Sequence, residues 1–587
     1  NQRRFESTKS AEKKALKAIQ QIANGEFEDW KIDAIKAEKC RQFDLEMESN
    51  EDKAMILMNA FYNEQDLGDI LNYKDKIMAI TTDDIKRVAK KYLSDNYLAL
   101  YIEKGKPDKN PKMEKRGKKP VNPPIGKESL YATQFKNLPI GQMEEKFADY
   151  GEVQIKQLND RSKMYYTPNK ENNVFQLVVQ YGAGEREFPK LGYAAQLMNN
   201  AGIMGAYEPQ ELKEELSKLN ATCHVTADDD NLYIIMEGYE ATLPQACQLL
   251  SRQILMPKLD EKQLARLKGS AMGMRQQRKD NVSILNEALR QYMLYGEKSD
   301  YIKELTDKEI YELQISELTG DINRASNYEA KVFFTGTLPF DQVYDILSKN
   351  LPLVANERPS NSPQAKDMMP VTENTVYFLP NNDAEQAQIH LYIPMQKADK
   401  KDDVLRSAFN QYFGLDFTGI VLNEIREKRS MAYTAYAFVG TQGIAGKASY
   451  LRGYIGTQND KANDALDVLM GLVNDMPKNP ERIDNIKSYL RQAMLTSHPS
   501  FRNKAMELVD LGYRGYTDDP AKENLPKVDA LTFDDIVKFY EENIKDKPYC
   551  ISIMGNPKNI DLKRLEKFGK VVKLNERKLF NTKDALF

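Results

Sequence analysis

Histidine is nearly missing from this 587-residue sequence, which has only His224, His390 and His498, each far from the others. None has a second histidine at ligand spacing, so nothing in the chain builds a metal site on its own. The four cysteines, Cys40, Cys223, Cys247 and Cys550, are scattered without CxxC spacing. That pattern indicates neither a thiolate zinc site nor a disulfide framework. No stretch approaches 18 consecutive apolar residues, so no segment reads as a membrane-spanning helix. An excess of one charge is also lacking: 84 Lys+Arg stand against 87 Asp+Glu, a net charge of -3. A general nucleic-acid binder would show a basic surplus or stripe. What is present, 41% hydrophobic and 9% aromatic residues, suits a folded globular chain. The length exceeds one core and predicts two to four domains.

The sequence opens at Asn1 on NQRRFESTKSAEKKALKAIQ, an amphipathic helical pattern with no initiator Met, charged n-region or apolar h-region. An internal repeat follows. Ile32-Asp33-Ala34-Ile35-Lys36 recurs as Ile483-Asp484-Asn485-Ile486-Lys487, and Lys53-Ala54-Met55 as Lys504-Ala505-Met506, both at an offset of 451. Ala79 to Ile85 (AITTDDI) recurs at the same offset as Ala530 to Ile536 (ALTFDDI). Leu305-Thr306-Asp307-Lys308-Glu309-Ile310 is a third copy between them, which places threonines at 81, 306 and 532. Each Thr is an N-cap candidate, with acidic residues in the first turn facing the helix dipole. After each comes a strand-like run ending in glycine: YLALYIEKG to Gly105, AKVFFTG to Gly336 and YCISIMG to Gly555. The repeat unit of about 225 residues is a domain, far longer than a solenoid repeat.

Each full copy opens on strand-like segments, such as NVFQLVVQYGAG at 173–184 or QIHLYIPM at 388–395, and runs on into long helical patterns. Segregated blocks of this kind predict α+β domains, each a sheet with helices packed on one face. The expected organisation is an incomplete domain over 1–105, a Lys/Pro-rich linker over 106–144 and complete domains over 145–360 and 370–575. Residue 1 corresponds to about residue 452 of the last copy, so about 80 residues of the first copy are missing. The chain is therefore expected to be the C-terminal portion of a longer protein.

Three motifs invite sharper readings and lose to plainer ones. The run KGKPDKNPKMEKRGKKPVNPPIGK (104–127) has no interleaved aromatics to stack bases, so it reads as a solvated linker. GTQGIAGKA (440–448) ends like a phosphate loop, but five residues separate Gly440 from Gly446 and Ala448 stands where Ser/Thr would hold magnesium. It lies between two strand patterns and reads as a hairpin loop. Asp228-Asp229-Asp230 lacks EF-hand spacing and reads as a turn between strands.

The repeat and two local patterns make the chain resemble the M16 (insulinase/pitrilysin) zinc metallopeptidases, whose single-chain members have four homologous domains. The resemblance covers the end of the second domain, the linker, and the third and fourth domains. It implies M16-type (LuxS/metallohydrolase-like) α+β domains, each a mostly antiparallel sheet with helices on one face. In that family the first domain carries an HxxEH zinc motif and a more distant Glu ligand. The matching stretch here is Gly192 to Asn199, with Ala195, Met198 and Asn199 where an active domain has His, Glu and His. The helix expected at 261–279 has no Glu after Glu261. The resemblance thus implies zinc in the complete enzyme and none bound by this chain.

One family feature is retained. Ile425 to Tyr433 (IREKRSMAY) matches the fourth-domain pattern in which Arg426 precedes Tyr433 by seven residues; Ser430 and Met431 are variants within it. The resemblance gives Arg426 and Tyr433 contact with the substrate carbonyl and oxyanion across a chamber, and makes Arg429 a further substrate contact. By residue pattern, Arg426 sits late in a helix (VLNEIREKRS) and Tyr433 at the start of a strand (AYTAYAFVG). The implied activity is metalloendopeptidase, with an N-terminal zinc-bearing M16 half and peptide substrates as partners. The alternative is an inactive M16-like peptide-binding or scaffold subunit. The resemblance points to a periplasmic or secreted setting, while the scattered cysteines fit cytoplasm as well.

Overall fold

The computed structural model describes residues 7–101, 129–139, 144–278, 281–354, 357–415 and 417–583. The chain divides into two compact units, Asn1–Glu145 and Lys146–Phe587.

The described part of the first unit is helical. Its longer helices are Thr8–Asn24, Asp29–Glu46, Asn50–Tyr62 and Thr82–Tyr92. Ser7, Ser49 and Thr81 cap three of them through their hydroxyls, each accepting an otherwise orphaned backbone N–H. Residues 97–101, read from the sequence as the start of a strand, form none; Leu98 is 94% exposed and Leu100 86%. A strand must pair its backbone groups with a neighbour, and the described residues of this unit contain no other strand. The rest of that run and the 104–127 stretch lie outside the described residues; a short helix, Leu130–Lys136, follows.

The second unit holds two lobes. The first lobe's sheet comprises β1 (Gln154–Gln157), β2 (Lys163–Pro168), β3 (Val174–Tyr181), β5 (Thr222–Ala227), β6 (Leu232–Tyr239) and β8 (Ala330–Gly336), in the order β1-β2-β8-β3-β6-β5. The short strands β4 (Gly202–Ile203) and β7 (Pro257–Lys258) pair separately. The second lobe's sheet comprises β9 (Thr375–Pro380), β10 (Gln386–Lys397), β11 (Ala432–Thr441), β12 (Ala448–Gln458), β13 (Cys550–Gly555) and β14 (Lys570–Lys573), in the order β11-β12-β10-β13-β9-β14. Both sheets are mixed and mostly antiparallel; β2 pairs β8 in parallel, as β9 does with β13 and β14. The architecture is α+β.

Alternation builds each core. In β10, Ala387, Ile389, Leu391 and Ile393 face the lobe's own helices, and Gln388, His390 and Tyr392 fall on the other face. The threonines act as their spacing predicts: Thr81, Thr306 and Thr532 each close a capping box with Asp84, Glu309 and Asp535. The strands β8 and β13 follow the second and third of them.

The sheets differ from expectation on their far face. Each lobe covers the other's sheet with a helix. Val282–Tyr295 of the first lobe lays Leu285, Ala288 and Leu289 against Leu379 and Met554 of the second. Lys504–Tyr513 of the second lays Ala505 and its neighbours against Val178 and Phe333 of the first, with Lys504 paired to Glu152 at 2.6 Å. Two-sided burial explains why β3 and β8 are nearly continuous in apolar residues rather than alternating. Among the described residues no helix is long and apolar enough to cross a membrane.

Candidate functional site

The Arg426 segment does not continue as the α-helix read from its sequence. A short turn, Ile420–Leu422, passes into a π-helical turn, Asn423–Glu427, in which the Lys428 N–H reaches back to the Asn423 carbonyl at 2.9 Å. Ile420, Val421, Leu422 and Ile425 are locked in the core, so the extra residue of the wide turn is absorbed outside it. π-bulges of this kind concentrate at functional sites. Ser430 then turns the chain with φ of +51°, a conformation stabilised by its N–H to the Arg426 carbonyl at 2.9 Å and by Lys461 on its own carbonyl.

Tyr433 stands on a second irregularity. β11 pairs Ala432 with Thr457 and Thr434 with Gly456, leaving Tyr433 as the extra residue of a β-bulge. A bulge bends the strand and re-aims a side chain. Tyr433 is 78% exposed, and the Arg426 guanidinium lies 4.7 Å from its ring centroid and 5.8 Å from that of Phe417. Phe417 also lines a cavity of about 660 Å³ with Thr418, Asn423, Arg482 and Tyr489. Arg426 Nε lies 3.3 Å from Glu427 Oε1, its one ion pair among the described residues. Such an exposed pair is worth at most about 1 kcal/mol, less than the roughly 1.5–3 kcal/mol of a charge-assisted hydrogen bond to a carbonyl or oxyanion. The pair therefore does not prevent Arg426 from turning its N–H groups to a ligand. Arg426 and Tyr433 are together; the family resemblance singled out the pair, and neither the π-turn nor the bulge has a residue signature.

Arg429 is engaged differently. Its guanidinium donates to the Glu424 carbonyl at 2.8 Å and pairs with the Glu424 carboxylate, which also receives Lys428. These hydrogen bonds hold the Glu424 carboxyl below its ordinary pKa. In this arrangement Arg429 braces the turn that carries Arg426.

The positions of the zinc motif fall on the helix Leu191–Met198. Ala195 and Met198 are each 1% exposed and packed in the first lobe's core. Asn199 spends its amide on backbone, donating to the Ala195 and Val225 carbonyls and accepting the Val225 N–H at 2.8 Å. The helix Glu261–Gln277 presents buried Leu264 and Ala271. This donor set does not fit a metal, and among the described residues no group of three or more His, Cys, Asp or Glu could hold one. Of the histidines, His224 lies on β5, His498 follows the Ile483–Thr496 helix, and His390 is buried on β10. The 440–448 segment is the β11–β12 hairpin, and Asp228 to Asp230 form the β5–β6 turn, where Arg186 pairs with Asp229 and Asp230.

A second cavity, about 630 Å³, lies between the first lobe and the segment that leads out of it, lined by Glu185, Asp229, Lys298, Asp300 and Lys366 among others. Burial first, then Asp229, Asp228 and Asp300, pushes the Glu185 carboxyl up to about 7. Its folded form is favoured while protonated, so that advantage is lost as pH rises from the ordinary carboxylate range through about 7. Glu185→Gln is expected to raise the melting temperature at pH 8 and to leave it unchanged at pH 4; an equal gain at both would assign the effect to packing alone.

A family model described as the peptidase M16 inactive domain matches residues 326–490, a span that includes Arg426 and Tyr433. No curated protein matches the chain in sequence. Among solved structures, a peptidase M16 inactive domain from Pseudomonas fluorescens is similar at a TM-score of 0.55 and 17% identity, over 70% of this chain and 99% of that one. The periplasmic protease PqqL from Escherichia coli is similar at 0.54 and 11%, over 92% of this chain and 63% of that one. The ferredoxin protease FusC, solved in complex with Arabidopsis ferredoxin, is similar at 0.56 and 12%, over 92% and 62%. This chain thus spans less than two thirds of either protease. The chain thus carries a match to the peptidase M16 inactive domain over 326–490 and shares its fold with M16 structures.

Proposed function

We propose that the chain is the C-terminal half of a zinc-dependent M16 endopeptidase, forming part of the wall of a peptide-binding chamber and presenting Arg426 and Tyr433 to the bound peptide. The observation that carries this reading is the solvent-facing Arg426–Tyr433 stack, held by a π-turn and a bulge inside the span of the M16 match. The guanidinium offers N–H donors in a fixed plane and the phenol a further O–H donor, a set suited to a peptide carbonyl and to the charge it gathers on attack. Since the residues at 195, 198 and 199 do not fit a metal, zinc is assigned to an N-terminal M16 half, and this chain's part is binding, orientation and charge stabilisation. The complex of FusC with a protein substrate supports peptides or proteins as the ligand class.

The test is kinetic. In the enzyme assembled with its zinc-bearing half, Arg426→Ala is expected to lower kcat/KM by about 100-fold and Tyr433→Phe by about tenfold, with kcat carrying most of the loss. Unchanged kcat/KM in both variants rejects the assignment and favours an M16-like scaffold.

A further inference from the structure

The far face of the second sheet is covered over only part of its width. The Val282–Tyr295 helix covers β9, β13 and His390 on β10, and Met368 and Val371 pack with Tyr392 and Tyr450 at one end of β10 and β12. The rest of that face carries Tyr436 and Phe438 on β11 and Arg452 and Tyr454 on β12, all half-buried. Tyr436 is paired across the strands with Tyr454, and Phe438 with Arg452. The rings are contiguous: Tyr436 lies 5.2 Å from Tyr454 and 5.9 Å from Phe438, centroid to centroid. Along β11 the same face runs back through Thr434 to the bulged Tyr433, so the aromatic surface continues the Arg426–Tyr433 site.

Arg452 is the odd member of this surface. Its Nε is buried without a hydrogen-bond partner, and it makes no ion pair among the described residues. Its neighbours offer it no free anion: Arg290, on the covering helix, pairs with Glu287, and His390, diagonal to it on β10, is buried with its pKa pulled down, so it stays neutral. A guanidinium partly withdrawn from water with no anion is unfavourable, and a carboxylate reaching it gains paired, charge-assisted hydrogen bonds. Phe438 beside it offers a flat apolar contact for the stem of such a side chain. Arginine, rather than lysine, is the residue suited to planar recognition of a carboxylate on an aromatic floor.

Resting on the chamber reading above, we propose that Arg452 is a specificity subsite that takes an acidic side chain, Asp or Glu, of the bound peptide. Thr434 to Phe438 spans four strand residues, about 14 Å at roughly 3.4 Å each, and an extended peptide covers that distance in the same number of residues. The acidic residue therefore sits about four or five positions from the carbonyl held at Arg426 and Tyr433.

The experiment measures binding, so it does not depend on cleavage. Fluorescence anisotropy with the purified 587-residue chain would use labelled peptides of about 12 residues, capped at both ends, with one Glu, Gln or Lys stepped through each position. At one position Glu is expected to bind about tenfold tighter than Gln, with Lys weakest. Arg452→Gln should abolish that preference and Arg452→Lys should retain part of it. Arg452→Gln should leave the melting temperature unchanged or raise it, since the charge it removes has no ion pair among the described residues, and Arg452→Lys should leave it near wild type. Equal binding of Glu and Gln at every position, or a Glu preference that survives Arg452→Gln, overturns the subsite and leaves the peptide reading standing. A preference that appears only with an uncapped C-terminus overturns the side-chain assignment in favour of a terminal carboxylate. Failure of the wild-type chain to bind any peptide overturns the chamber reading and the subsite together.

Discussion

Leu289→Ala is expected to destabilise the second unit by about 2–5 kcal/mol, among the largest effects any single truncation here should have. Leu289 is fully buried on the Val282–Tyr295 helix, and the neighbours it shares with Leu285 and Ala288 belong to the other lobe: Leu379, Met554, Leu574 and Leu579. Truncation removes the transfer free energy of the lost carbons and leaves a cavity whose walls are a sheet and a helix, neither free to collapse inward. Because the cavity opens in the seam, the loss should appear as weakened docking as well as lower stability. Urea unfolding with tryptophan-independent probes (far-ultraviolet dichroism and limited proteolysis) would report both. A loss under about 1 kcal/mol would mean that the seam is plastic and the helix a loose cover.

The second large effect is acid sensitivity through His390. This histidine is 2% exposed and sits on the covered face of β10, with Nε2 3.0 Å from Asn286 Oδ1 on the same helix. Burial, with Arg452 and Arg290 adding like-charge repulsion, pulls its pKa down to about 3. The sign follows from linkage: below its ordinary value near 6.5 the unfolded chain binds a proton that the folded chain refuses, so stability falls as pH drops and goes on falling to about 3. The contribution reaches about 2 kcal/mol by pH 5 and of order 4 kcal/mol at the lower limit. Glu185 titrates with the opposite sign over part of this range, so the wild-type profile alone understates both groups. The informative quantity is the difference between wild type and His390→Gln, which keeps an amide donor for Asn286 and cannot take a proton. The variant is expected to gain on wild type steadily from pH 6.5 to 5; a constant difference would mean that His390 is already solvated or charged.

The local rules were legible in the residues. Thr81, Thr306 and Thr532 announced three helix starts through one hydroxyl and one carboxylate each, a short-range signal that tertiary context does not alter. The 440–448 hairpin was legible because two missing features, a four-residue spacing and a magnesium hydroxyl, excluded the competing reading. The YLALYIEKG run misled because side-chain preference for a strand says nothing about whether a neighbouring strand is there to pair with. The Arg426–Tyr433 pair was legible only through its resemblance to a family pattern. What makes it a site, a π-turn anchored by buried Ile425 and a bulge at Tyr433, depends on where the chain takes up one residue too many outside the core. Arg452 drew no notice in the sequence, because that it lacks a carboxylate depends on which helix covers which strands. The crossed helices carried a weak hint, since β3 and β8 are too uniformly apolar for a one-sided sheet.

The crossed helices also bear on why a lobe without metal-binding residues persists beside one with an exposed Arg–Tyr stack. Were the first lobe removed, the second's sheet would be left with Leu379 and Met554 facing water and its Lys504–Tyr513 helix without Val178 and Phe333 to lie on. Each lobe thus depends on the other for the cover of its sheet, so a substitution in the seam is felt by both.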